Sequence, residues 1–297
     1  MAINNTTVVP VVVAAAFLVE YRKLRVYSDR TNNTWRNALR SSGDTVIVNT
    51  PQAGAITDYA ANGTVTYANA DVGTPTTLTV DKVKSWSLKF DDLQRAQASL
   101  PVLTAAVTET AQVLAETVDA DVRAAMVAGA TDVTTNLALN HNKTGGLKVD
   151  DLRLSAFHRL LDTANVPRAG RWAIIGPYTA EILQKIALAN DQLLASSRGA
   201  VGEQLLNGSL GTFAGFQWYV GPSTWSNYSA SGNTANEELI FGNDTATAFV
   251  DQVSRTEQLR LPNTFADAIR GLYSYGAKVV RGNRLVKVTA AVTNVPK

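Results

Sequence analysis

Residues 44–81, DTVIVNTPQAGAITDYAANGTVTYANADVGTPTTLTVD, and residues 97–129, QASLPVLTAAVTETAQVLAETVDADVRAAMVAG, decide the fold. The first stretch is rich in threonine and contains neither lysine nor arginine. Short runs of β-branched and aromatic residues alternate in it with Asn, Gly and Pro, which reads as extended strands joined by turns. It is too long for a tight hairpin and has too little apolar mass for a core of its own. Such an arm must lie on something else, and a second copy of the chain qualifies.

Within the arm, residues 45–48 read as a strand, Asn62-Gly63 as a turn, Val65 and Tyr67 as one strand face, and residues 77–80 as another strand. Residues 82–90 then alternate. Val83, Ser85, Ser87 and Lys89 share one face, and Lys84, Trp86, Leu88 and Phe90 share the other.

In the second stretch Leu100, Leu103, Val107, Ala111, Leu114, Val118, Val122 and Ala125 recur at steps of three and four. That spacing aligns them as one stripe along a single long helix. Glu109, Glu116, Asp119, Asp121 and Arg123 fall on its other faces. Ser99 and Pro101 suit its start and Gly129 its end. At 1.5 Å per residue the rod is on the order of 40 to 45 Å long, enough to cross a domain.

Charge is segregated around the arm. Residues 1–43 carry six basic side chains against two acidic ones, a balance of +4. Residues 44–81 carry Asp44, Asp58, Asp71 and Asp81 and no cation, a balance of −4. The two stretches are complementary, so Arg22, Lys23 and Arg25 facing Asp44, Asp58, Asp71 and Asp81 are the candidate contacts between subunits.

The whole chain of 297 residues has 27 basic and 25 acidic side chains and is 45% hydrophobic. That supports a large core and argues against tight, sequence-reading nucleic-acid binding. It has no cysteine, which removes disulfides, thiolate metal sites and cysteine nucleophiles. The apolar run 8–19 has no preceding basic residue, contains Pro10, and is shorter than the roughly 20 residues needed to span a bilayer. It is expected to begin a helix through Leu18, Tyr21 and Leu24, with Pro10 in the first turn. No contact with a membrane is expected.

Beyond the rod, residues 131–146 read as a polar loop and 149–164 as an amphipathic helix. Residues 172–175 read as a buried strand, 177–188 as a helix, and 216–220 as a strand. Residues 239–241 and 247–250 add strands. The final pair, 276–280 and 285–292, is expected to form a hairpin about Gly282-Asn283.

The chemistry is sparse. His158 has no histidine three or four positions away, and His141 sits in a polar loop, so neither reads as a ligand or base. Asp91-Asp92 and Asp150-Asp151 read as helix-start residues favoured by the helix dipole. No nucleophile elbow, P-loop or dinucleotide fingerprint occurs. The glycines at 208, 211 and 215 lead into a strand rather than a helix, and read as turn formers. No catalytic, cofactor or metal residue is assigned.

The order of parts resembles the major capsid proteins of tailed double-stranded DNA bacteriophages. Val8-Val9-Pro10 before an amphipathic helix is similar to that family's N-terminal arm, and residues 43–90 to its extended loop. Residues 77–92 are similar to the strand leading into its spine helix. Residues 166–177 and 207–216 are similar to its axial-domain strand and glycine-bearing loop.

The resemblance implies an α+β capsid fold with an N-terminal arm at 1–43, an extended β loop with peripheral strands at 44–90, and the spine helix and peripheral domain at 91–146. It implies an axial domain at 147–265 and a return to the peripheral domain at 266–297. It further implies self-assembly of hexamers and pentamers into an icosahedral shell around the genome, assembled in the host cytoplasm. Separate scaffolding, portal and decoration proteins and weak, non-specific contact with packaged DNA belong to that expectation. With the arm beginning in the first ten residues at Met1, scaffolding is expected from another chain. A lysine crosslink from residues 44–81 is excluded, since they contain none. A cellular nanocompartment shell is the alternative, and a secreted α/β hydrolase a more distant one.

Overall fold

A computed structural model describes residues 25–35, 45–48, 56, 58–59, 61–64, 75–91, 100–133, 137–140, 154–189, 211–213, 215–221, 227–229 and 234–293. The expected helix at 10–24 lies outside them. The long helix is α1 (Leu100–Gly129). Val107, Ala111, Leu114, Val118 and Val122 are buried as the stripe requires, joined by Ala115 and Met126, while Glu109 is exposed.

Two sheets flank α1. One is antiparallel and three-stranded, in the order β11 (Thr247–Arg260), β12 (Ala266–Val279), β3 (Lys82–Asp91). The strand β3 turns Lys84, Trp86 and Leu88 inward as its alternation demands, with Val83, Ser85, Ser87 and Lys89 exposed. Trp86, Ile269, Tyr273 and Tyr275 of this sheet pack on α1.

The other sheet has eight strands. Its path runs β4 (Thr131–Asp132), β13 (Leu285–Thr293), β10 (Thr234–Asn243), β6 (Arg171–Ile175), β8 (Phe216–Val220), β7 (Thr212–Phe213). In addition β5 (Leu137–Asn140) pairs with β13, and β9 (Asn227–Ser229) with β10. Its central strands are covered on both sides, which explains the unbroken apolar run of β6. Alternate residues serve two cores: Trp172, Ile174 and Ile240 face α1, while Ala173, Ile175 and Phe241 face α2 (Leu154–Thr163) and α3 (Pro177–Ala189). In the second core the Phe157 and Phe241 rings stack 4.2 Å apart.

Three expectations are corrected. The residues about Gly282-Asn283 form a 3₁₀ turn rather than a hairpin, because β12 and β13 belong to different sheets. The backbone N–H groups of Val280 and Arg281 both donate to the Ala246 carbonyl, at 2.9 and 3.0 Å, which diverts the chain from one sheet to the other. The polar run 131–146 contains β4 and β5, parallel to β13, since Leu137 and Leu139 alternate into the core. Asp119, assigned to an outer face of the rod, is only 2% exposed.

The expected boundary between 265 and 266 falls at the tip of the β11–β12 hairpin. Those strands pair along nearly their whole length, so β11 joins the three-stranded sheet, while β13 crosses to the sheet formed by residues 171–243.

Candidate assembly surfaces

Part of the basic segment, residues 26–28, docks on α1 within the subunit. The Asp119 carboxylate, carried by the middle of α1, accepts hydrogen bonds from the backbone N–H groups of Val26 (2.5 Å), Tyr27 (3.1 Å) and Ser28 (3.1 Å), and from the Ser28 hydroxyl (2.6 Å). A carboxylate with four donors fixes residues 26–28 across the helix. Burial pushes the Tyr27 phenol well above its ordinary range. Beyond it Asn32 pairs with the start of β11: its N–H donates to Thr247 at 2.8 Å and its carbonyl accepts from Phe249 at 3.2 Å.

Among the expected cations, Arg25 is described. Its side chain is 8% exposed and lies 2.8 Å from Asp29 and 3.8 Å from Asp251, so its charge is engaged within its own subunit. The Asp29 carboxyl is raised above its usual range, by burial first, against the lowering influence of Arg25 and Arg30. Arg30 stacks over the Tyr219 ring, 4.5 Å from its centre.

The extended loop is anchored at its root. β1 (Thr45–Val48) pairs antiparallel with β2 (Thr76–Thr79). Val46, Val48 and Leu78 cluster with Ala248 and Val250 of β11. β2 passes so close over β12 that a Cβ on Gly276 would stand 2.3 Å from the Thr79 carbonyl oxygen, which is why glycine occupies that position. The Lys278 ammonium donates to the Thr77 carbonyl at 2.9 Å. Further out, Asn62 has a φ of 65°, consistent with the expected turn.

The loop exposes apolar side chains: Ile47 at its root is 60% exposed, and further along Tyr59 is 67% and Ile56 99% exposed. Phe265, at the tip of the β11–β12 hairpin, is 83% exposed. Several large apolar groups exposed on one loop and one hairpin tip make these the candidate contact surfaces. Asp58 and Asp81 are exposed on the same loop. Arg22, Lys23, Asp44 and Asp71 lie outside the described residues, so their pairing with these groups stays an expectation.

Carboxylates tie the layers together. Asp121 of α1 lies 2.8 Å from the Lys82 ammonium and 3.9 Å from that of Lys84, and accepts a hydrogen bond from the Tyr275 hydroxyl. Burial works to raise this carboxyl, but the hydrogen bonds and cationic neighbours outweigh it and hold it below its ordinary range. Glu237 of β10, 1% exposed, accepts from the N–H groups of Tyr178 (3.0 Å) and Thr179 (2.9 Å) and from the Thr179 hydroxyl (2.5 Å). It thereby caps the start of α3 from a neighbouring strand, where the helix dipole favours an anion.

His158 is half-buried against the Phe216 ring, with its Nδ1 3.3 Å from an Arg171 nitrogen. Arg171 is braced by Asp162 at 2.5 Å and by the carbonyls of Val166 and Pro167, which makes the cluster a structural brace. His141 lies outside the described residues. Among the described residues, no group of three or more metal-ligating side chains occurs, and no helix is long and apolar enough to cross a membrane.

The sequence reading missed Asp119 and Glu237, whose donors lie far away in the chain. It also missed a signal at the C-terminus. Residues 268–297 contain six cations (Arg270, Lys278, Arg281, Arg284, Lys287, Lys297) and no carboxylate. This is the inverse of residues 44–81, and the two meet at the Lys278–Thr77 contact.

No protein-family profile matches the chain, and no curated protein does. Solved structures do. A structure from Mycobacterium phage Che8 aligns over 89% of this chain and 90% of its own, at 25% identity and a TM-score of 0.66. The capsid of cyanophage P-SCSP1u aligns over 91% and 89%, at 17% identity and a TM-score of 0.63. A virus-like particle from Pyrococcus furiosus aligns over 92% and 96%, at 12% identity and a TM-score of 0.51. The rod between two sheets, the anchored loop and this likeness along nine-tenths of the chain define one class: the chain has the fold of a phage major capsid protein.

Proposed function

We propose that this protein is the structural subunit of a phage head, many copies of which close into an icosahedral shell around a double-stranded DNA genome. The likeness to phage capsid structures over about 90% of both chains carries the reading. The physics supports it: a loop anchored at its root, with Ile56 and Tyr59 exposed, is stabilised by covering those groups against a neighbour. A closed shell multiplies such contacts, so each can be modest.

The role is structural rather than enzymatic. Partners are further copies of the chain, with scaffolding, portal and decoration proteins and non-specific contact with DNA belonging to the finer part of the proposal. The location is the capsid, with assembly in the host cytoplasm. A nanocompartment shell is the second reading, favoured by the likeness to the Pyrococcus furiosus particle.

Size-exclusion chromatography followed by negative-stain imaging of the expressed protein tests this. Particles tens of nanometres across are expected. A persistent monomer under all assembly conditions would overturn the shell reading, and particles filled with a cargo enzyme instead of DNA would favour the second.

A further inference from the structure

The 3₁₀ turn Gly282–Arg284 is held rigidly. Its Gly282 lies over the C-terminal end of α1, where a Cβ would stand 2.7 Å from the Gly129 carbonyl oxygen. The Thr131 hydroxyl donates to the Gly282 carbonyl at 3.2 Å, and the Arg284 N–H to the Arg281 carbonyl at 3.1 Å. That last bond closes the turn on Arg281, the residue that precedes it, and so keeps Arg281 and Arg284 within one tight turn of each other.

Both are half-buried. Arg284 donates to the Thr245 hydroxyl at 2.7 Å, and among the described residues no carboxylate is in ion-pair contact with either arginine. Burial and then the nearby Arg281 charge depress the Arg284 guanidinium. On either side the strip continues with Lys278, committed to Thr77, and Lys287, 3.3 Å from Asp132. Two cations thus share one tight turn, partly desolvated, without a counter-charge among the described residues of their own subunit. That arrangement is costly until an anion arrives.

We propose that the Arg281–Arg284 pair is an inter-subunit anion site that receives aspartate carboxylates from the cation-free loop, residues 44–81, of a second copy. This rests on the shell reading. Charge complementarity supports the occupant: the loop offers only carboxylates, Asp58 among them exposed, and the receiving strip offers only cations. The whole-chain charge of +2 argues for a contact between copies over one with nucleic acid. Arg25, already paired with Asp29 and Asp251, is replaced in this role.

The test compares wild-type protein with Arg281→Gln/Arg284→Gln and Arg281→Glu/Arg284→Glu, alone and combined with Asp58→Arg/Asp71→Arg. Circular dichroism of the subunit checks folding, and sedimentation measures assembly against protein and salt concentration. The glutamine variant, which keeps the hydrogen-bonding shape, is expected to raise the concentration needed for assembly about tenfold at low salt and less at high salt. The glutamate variant should abolish assembly, and the reversed aspartates should restore it.

Unchanged assembly of the folded glutamine variant would overturn the site. Normal shells with reduced DNA content would assign the pair to phosphate and overturn the second-copy occupant. Failure of the glutamate variant without rescue by Asp58→Arg/Asp71→Arg would overturn the loop as partner. Absence of particles from wild-type protein would instead sink the shell reading on which the site depends.

Discussion

The two cores that the eight-stranded sheet separates are built differently. Against α2 and α3, Phe157, Phe216, Trp218 and Phe241 form an aromatic cluster with ring centres 4.2 to 6.3 Å apart. Against α1, the apolar stripe is supplemented by carboxylates, with Asp119 clasping residues 26–28 and Asp121 facing Lys82, Lys84 and Tyr275. The aromatic core fills its interior by shape and volume, with Glu237 capping α3 at its edge. The α1 core also fixes residues 26–28 and the start of β3 in one orientation on the helix, and hydrogen bonds specify direction where apolar contact does not.

The largest effect that would break this comparison is Leu114→Asp, which buries a charge in the α1 stripe. Loss of soluble, folded protein is expected, as several kcal/mol are lost with an uncompensated carboxylate. Normal particles by electron microscopy would show that α1 does not organise both sheets. Next, Phe157→Ala should cost about 3–5 kcal/mol in chemical denaturation by opening a cavity in the aromatic face. The surviving fold should keep residues 26–28 protected from amide exchange.

Asp119→Ala is the reverse probe. It orphans four donors and should cost about 1–3 kcal/mol or more. The expected signature is a rise in amide exchange at Val26, Tyr27 and Ser28 with the aromatic core still protected. Equal loss of protection on both faces would show that the clasp is not a local device.

The α1 face should also be the acid-sensitive one. The Asp121 carboxyl is depressed in the fold, so its contribution is present above the unfolded carboxylate value and is lost as pH falls through the folded one. Lys82→Ala should therefore destabilise the subunit at neutral pH and have a diminishing effect towards pH 3, as followed by urea melts. A penalty independent of pH would remove Asp121 from the account. The smallest effect is expected from Arg22→Ala/Lys23→Ala compared with Arg25→Ala. The pair should alter only the salt dependence of assembly, whereas Arg25→Ala should lower the melting temperature of the isolated subunit.

What could be read in advance depended on range. The stripe of α1, the inward Lys84, Trp86 and Leu88 of β3 and the unbroken run of β6 are periodic signals, and local periodicity survives into the fold. The turn at Gly282-Asn283 carried an equally local signal but gave the wrong partner, because the choice of sheet is made by Ala246, thirty-odd residues earlier. Asp119 looked like a solvated face of a rod, since its acceptor role depends on amides more than ninety positions upstream. Arg281 and Arg284, which face no carboxylate among the described residues, were visible only as part of a carboxylate-free tail, a composition signal at a scale local motifs do not reach.

The position of α1 between the sheets has a mechanical corollary. A single rod of thirty residues whose side chains key into both sheets resists sliding of one sheet past the other, as a dowel does between two boards. In the proposed shell, outward load on one layer would be shared by the other through that rod. The crossings at residues 244–246 and 280–284, tied to each other through the Ala246 carbonyl, are then the points at which load passes along the backbone from one sheet to the other.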